Sequence, residues 1–239
     1  MKKQLIVLLL FFGWSATFAQ TSKVWNFPTG PGSTEWENSK TLEGRLSLYN
    51  VPVSLLKTMT TEDLVKTCLN YPELRMIFTR NSYQQGYEFL RDQFNGFSEL
   101  EKRTDAGKYL LSIYSGKKHD DVSLITNLVD QGKFIVDIIY IEIILSQEPI
   151  INNMDKTEQI SLKNQAINSF ENVVRLKDIY GTMSLEMPAL IMGRLLLIEK
   201  ETNLALKTKI DDEILSFTTN SETPDMSVWY KVYNIAKGN

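Results

Sequence analysis

The sequence predicts an all-α protein: an array of about eight to ten short antiparallel helices, helical-repeat or solenoid-like, behind an extended N-terminal arm. Three observations lead there. Helix-start signals recur, with Ser or Thr followed three residues later by an acid or amide at Thr34/Glu37, Thr60/Asp63, Ser82/Gln85 and Ser98/Glu101. Such pairs let each side chain satisfy a backbone N–H that a helix leaves unpaired. Apolar residues then follow at helical spacing, and Gly or Pro punctuates the chain at short intervals.

The elements follow in order. Residues 1–19 have a basic start (Lys2, Lys3), an apolar run from Leu5 to Phe12, and small residues before Ala19. This is the layout of a secretory signal peptide cleaved near Ala19, and the run is too short for a membrane span. Residues 20–33 hold Pro28, Gly30, Pro31 and Gly32, which forbid a regular helix and predict the arm. Its aromatic residues Trp25 and Phe27, with Trp36 just beyond, argue for packing on the domain, with an exposed platform for a sugar or peptide as the alternative. Residues 34–239 form a single helical domain.

Within it, Thr60 opens a helix that runs to Tyr71 before Pro72, and Tyr83, Tyr87, Leu90 and Phe94 share one helical face. Gly86 lies on that face, where a missing side chain lets a neighbour approach. Asn95-Gly96 is expected as a left-handed cap closing this helix, with Ser98 restarting the chain. Residues 121–131 read as a helix ended by Gly132. The stretch 134–145, "FIVDIIYIEIIL", is ambiguous between central helix and buried strand, and its length and setting favour helix. Its Asp137 and Glu142 lie about 140° apart on a helix, so they do not converge, and each is expected at a helix edge or paired with a base. A long helix over 157–180 uses Ile160, Ile167, Phe170 and Val174, capped by Gly181. Further helices follow through Pro188, through Ile210, Ile214 and Phe217, and through Met226, Trp229, Tyr233 and Ala236.

Composition excludes several chemistries. Without its leader the chain carries 24 basic and 29 acidic residues, net −5, so the basic stripe of a nucleic-acid binder is absent. The single cysteine, Cys68, rules out an internal disulfide and sits at helical spacing as a small buried residue; no cysteine lies just after the apolar run of the leader, so no lipid anchor is expected. The single histidine, His119, lies in "GKKHDD" and is expected in a solvated connector, which leaves no multi-histidine metal site. No metal, no cofactor and no membrane span in the mature chain are expected.

The strongest candidate cluster is "FNGFSELEKRTDAGKYLLSIY" with the "FTRNS" turn. Glu99 precedes Arg103 by four residues, the favourable ion-pair order, and Arg103 faces packed neighbours. The simplest reading has Glu99 and Asp105 hold it while its other donors cap helix carbonyls. The functional reading presents the guanidinium to a ligand anion, with Asn81 and Asn95 as neighbours; Asn81, Asn95, Glu99, Arg103 and Asp105 are the candidate binding residues. No catalytic set emerges. Glu99 and Glu101 point about 200° apart on a helix and cannot flank one glycosidic bond.

The strings "PGSTEW", "VPVSLLKTMTTEDLVKTCLNYP", "NSYQQGYEF" and "FNGFSELEKRTDAGKYLL" resemble, in order and spacing, a widespread family of secreted bacterial proteins without known activity. The similarity covers residues 28–115, with Val51 where Ile is usual and Thr61 where Ser is common. The resemblance implies a secreted, all-helical protein and marks Trp36, Pro72, Asn95, Gly96, Glu99, Arg103 and Asp105 as motif positions. The chain is thus expected to be a secreted binding or interaction module, periplasmic or extracellular, meeting an unknown protein or envelope component. The alternative is a hydrolase acting on glycan or peptide through acids in an inter-helix groove.

Overall fold

A computed structural model describes residues 23–221 and 225–238, so the leader expected over residues 1–19 lies outside the described residues. Among the described residues every regular element is helical. Eight longer helices carry the architecture: α1 (Thr61–Leu69), α2 (Tyr83–Gln93), α3 (Ala106–Gly116), α4 (Leu128–Leu145), α5 (Lys156–Arg175), α6 (Glu186–Lys200), α7 (Asp212–Asn220) and α8 (Met226–Lys237). Seven α-helical segments of four to six residues and three 3-10 turns join them. The segmentation is finer than predicted because one-turn pieces are too short to display a hydrophobic period.

Residues 23–33 form no helix and lie against α1. The Lys23 N–H donates to Asp63 Oδ2 (2.9 Å), the Trp25 N–H to Thr67 Oγ1 (3.0 Å) and the Trp25 indole to the Tyr49 carbonyl (3.0 Å). Phe27 meets Tyr49, Tyr71 and Phe94 with ring centroids 5.9, 5.9 and 5.8 Å away. Trp25 and Phe27 therefore pack on the domain.

Local helix signals hold at two of the four positions. Thr60 Oγ1 accepts the Asp63 N–H and Ser82 Oγ accepts the Gln85 N–H. The first helix is capped one residue early, by Ser33 instead of Thr34. Asn95-Gly96 does not close α2. Phe94 is extended and Asn95 begins a short helix, Asn95–Leu100, with Ser98 inside it donating to the Arg91 carbonyl. The cause is a long-range clamp: Asn95 Oδ1 accepts the Val51 N–H, its Nδ2 donates to the Val51 carbonyl, and its own N–H donates to Asn50 Oδ1. Gly96 serves close packing, since a Cβ there would meet the Phe94 ring at 2.3 Å.

Gly86 does the same for α2 as a whole. A Cβ at this position would stand 2.1 Å from the Ile77 carbonyl oxygen, so α2 rests directly on the 3-10 turn Leu74–Thr79. Gly86→Ala is expected to cost about 2 kcal/mol by forcing backbone apart, read as a lowered urea midpoint. An unchanged midpoint would contradict the close approach.

Two expectations fail between residues 119 and 132. A 3-10 turn, His119–Leu124, replaces the start of the expected helix; α4 starts after Asn127, whose side chain accepts two N–H groups, and Gly132 lies inside it. With three residues per turn, His119 and Val122 share the inward face while Asp120 and Asp121 face solvent. His119 is therefore buried, not solvated. The segment 134–145 is helical. In α5 the buried face holds Leu162, Ala166, Ser169, Phe170 and Val173, while Ile160 and Val174 are exposed. That helix ends at Arg175; a separate turn, Lys177–Tyr180, is the one Gly181 caps, at φ +71°.

The core centres on α6, which packs against α4, α5, α7 and α8. Every residue from Glu186 to Leu196 is buried, including two ionisable ones, Glu186 and Arg194.

Candidate functional site

The structure brings Glu99 and Arg103 together. Arg103 Nε donates to Glu99 Oε1 (2.8 Å), Nη2 to the Leu56 carbonyl (3.1 Å) and Nη1 to the Met59 carbonyl (3.4 Å). Asp105 does not join this pair; it accepts the Thr61 hydroxyl at 2.7 Å. Asn95 is held by Asn50 and Val51, as described above. Asn95, Arg103 and Asp105 reach back to the segment 50–61 and fasten it, and Glu99 holds Arg103 in place. Asn81 lies elsewhere, exposed in the turn between Leu74–Thr79 and α2.

Asn81 edges a pocket of about 250 Å³ whose other walls include Phe78, Arg80, Ser82, Tyr83, Met183 and Glu186. Glu186 begins α6, where the helix N-terminus favours a negative charge. The residue is 1% exposed, yet neither carboxylate oxygen has a hydrogen-bond partner. Native chains rarely leave such atoms unmatched, because the buried group loses its water without replacement. Burial alone pushes its pKa up to about 7. Tyr83 is pushed up to about 12, first by burial and then by the Glu186 charge, which places the phenol within the carboxylate's field. Arg80 does not neutralise Glu186: its guanidinium lies 4.0 Å from the centroid of Phe89. Phe78 meets Tyr83 edge-on (5.7 Å) and stacks on Tyr140 (5.6 Å), so the pocket has an aromatic side. Asn81 and Ser82 also border a broader polar groove of about 770 Å³ that includes Gln84, Gln85 and Glu88.

Tyr71 Oη and Trp229 Nε1 are also buried without a hydrogen-bond partner among the described residues, whereas Glu142, His119 and Arg194 are matched by the protein. Glu142, expected at a helix edge or beside a base, instead lies sealed between α3, α4 and α5. Its Oε1 accepts Tyr114 Oη (2.5 Å) and Ser169 Oγ (2.8 Å), and burial outweighs both bonds to push its pKa up to about 7. Because the Ser169 proton goes to Glu142, His119 Nε2, 3.0 Å from Ser169 Oγ, must carry the proton in that bond. Burial lowers His119 to about 4, so the ring is neutral. Arg194 donates to the Thr218 and Ser146 carbonyls, to Gln84 Oε1 and to Ser221 Oγ. A further pocket, about 380 Å³, lies beside Arg194 against Ile151, Leu197 and Ile198, and among the described residues its lining has no buried unmatched polar atom.

Sequence reasoning missed Glu186, Arg194, Glu142 and the burial of His119. The first three carried one signal: each is an ionisable residue inside a run of apolar neighbours, as in "LEMPALIMGRLLLI" and "IIYIEIIL". Compared with protein-family models, curated proteins and solved structures, the chain matches none.

Proposed function

We propose that this chain is a secreted binding module, delivered to the periplasm or the exterior by its leader, whose ligand occupies the pocket floored by Glu186. One observation carries this reading: a fully buried carboxylate with no protein donor, on a pocket wall. A group left so costs stability, and such perturbed groups in clefts concentrate where ligands are met. We read the helices as a helical-repeat array, supported by α3 packing on α4, and α7 on α8, as consecutive pairs. In that array the turn carrying Asn81 presents the mouth of the pocket. The Asn95, Glu99, Arg103 and Asp105 set belongs to the framework behind it. The hydrolase alternative draws less support, since Glu186 is the one carboxyl lining this pocket and glycosidases use two.

The test is a fragment screen by NMR, with cationic, neutral and anionic members, on methyl-labelled protein. Binders should shift Met183 and the Phe78 and Tyr83 rings, and a Ser82→Trp variant that fills the mouth should lose them. Absence of any binder at these residues, or turnover of glycans or peptides at enzymatic rates, would overturn the reading.

A further inference from the structure

The chemistry of the pocket restricts its ligand further. We infer that the pocket takes an organic cation, an ammonium head carried on an apolar or aromatic body, with Glu186 as its counter-ion. This rests on the reading of the pocket as a ligand site.

An ionised carboxylate is an acceptor only, with two oxygens able to take several donors. At Glu186 both are unmatched and under 1 Å² exposed. A neutral hydroxyl would fill a lone pair and leave the charge uncompensated. An ammonium supplies both donors and charge, and in a buried site the two together offset the lost hydration. A metal ion fits poorly, because hard divalent cations want six or more oxygens and only one carboxylate is at hand. An anion would meet Glu186 head-on, while the one cation of the lining, Arg80, is held over Phe89.

The walls suit the rest of such a ligand. Phe78 and Tyr83 line the pocket as aromatic rings, a chemistry that attracts a cation or packs on its substituent. Met183, on the same lining, is exposed and unbranched, so its side chain can shift as a ligand enters. Asn81 stands exposed at the rim, where it can take neutral polar groups of the ligand body.

The probes are benzylamine, benzyl alcohol and benzoate, titrated into the full mature chain by calorimetry and NMR. Benzylamine should bind about tenfold or more tightly than benzyl alcohol, and Glu186→Gln should remove that preference. Affinity for benzylamine should rise with pH up to about 7 and then level, since the acid form of Glu186 cannot pair with the ammonium. Titration at pH 6.5 in two buffers of different ionisation enthalpy should show a proton released on binding, a readout independent of any variant. Benzyl alcohol binding as tightly as benzylamine would overturn the cation assignment and leave the pocket reading intact. Benzylamine binding unaltered by Glu186→Gln, with no proton release, would also overturn it. Failure of all three probes, together with an empty fragment screen, would overturn both.

Discussion

Replacing Arg194 with alanine is expected to destabilise the protein by about 4 kcal/mol, a large part of the 5–15 kcal/mol typical of a domain. The side chain is 4% exposed, and among the described residues no carboxylate lies close enough to form a salt bridge with it. Helix ends hold the charge, with Glu148 and Glu88 attracting it at longer range. Its Nη1 donates to the carbonyl of Ser146, the C-cap of α4, at 2.6 Å, and its Nε to the Thr218 carbonyl in the last turn of α7 at 3.1 Å. Both termini carry partial negative charge, which substitutes for a counter-ion. Nη2 adds Gln84 of α2 and Ser221, the left-handed cap of α7. One guanidinium thus joins α2, α4, α6 and α7, and burial still lowers its pKa to about 10. Removing it leaves two buried carbonyls and two side chains without their donor, each costing about 1–3 kcal/mol. Urea unfolding followed by circular dichroism measures the loss, and Arg194→Lys, which keeps the charge without the planar fork, should fall between. A loss under about 1 kcal/mol for the alanine variant would show that the fold does not depend on this junction.

How much of this was legible depends on the range of each interaction. The capping of α1 and α2 by Thr60 and Ser82 involves residues three apart, so the sequence shows it. The Glu99–Arg103 pair is one helical turn long and equally visible. The other partners of Arg103, the Leu56 and Met59 carbonyls, lie more than forty residues away and no local pattern announces them. Asn95 is the instructive failure. Asn-Gly has a strong local meaning as a left-handed turn, yet the side-chain bonds to Val51 outcompeted it. His119 failed for a related reason: its neighbours Lys117, Lys118, Asp120 and Asp121 mark a solvated loop, while a 3-10 period of three turns His119 and Val122 inward. For the candidate site, Asn81 was legible as a turn residue. Glu186 showed only as an ionisable residue in an apolar run, because the residues 77–83 that share its pocket lie about a hundred positions away.

Three buried titrating groups give the protein an unusual pH dependence, expected to make it about 3 kcal/mol less stable at pH 8 than at pH 5. Glu142 and Glu186 both have folded pKa values raised from 4.5 to about 7. A carboxyl raised in the folded state binds its proton more tightly there, so its contribution is fully present below 4.5 and is lost as pH rises through 7. From pH 5 to 8 that is a loss of about 2.5 kcal/mol for each. His119 works in the opposite direction. Its folded value is lowered from 6.5 to about 4, so the neutral ring's contribution is present above 6.5 and disappears as pH falls through 4. Between pH 5 and 8 it returns about 2 kcal/mol, too little to cancel the two acids. The exposed pairs Lys66–Glu62 and Lys231–Glu213 move this balance little, because water screens them. Unfolding free energies at the two pH values test the sum, and variants separate its parts. Glu186→Gln should raise stability at pH 8 and nearly flatten the profile, the gain expected when a group held for a ligand is removed from the free protein. Glu142→Gln combined with Glu186→Gln should reverse the slope, leaving His119 to make the protein more stable at pH 8. A wild-type profile that rises from pH 5 to 8 would mean that Glu142 and Glu186 are not both held out of water as the structure has them.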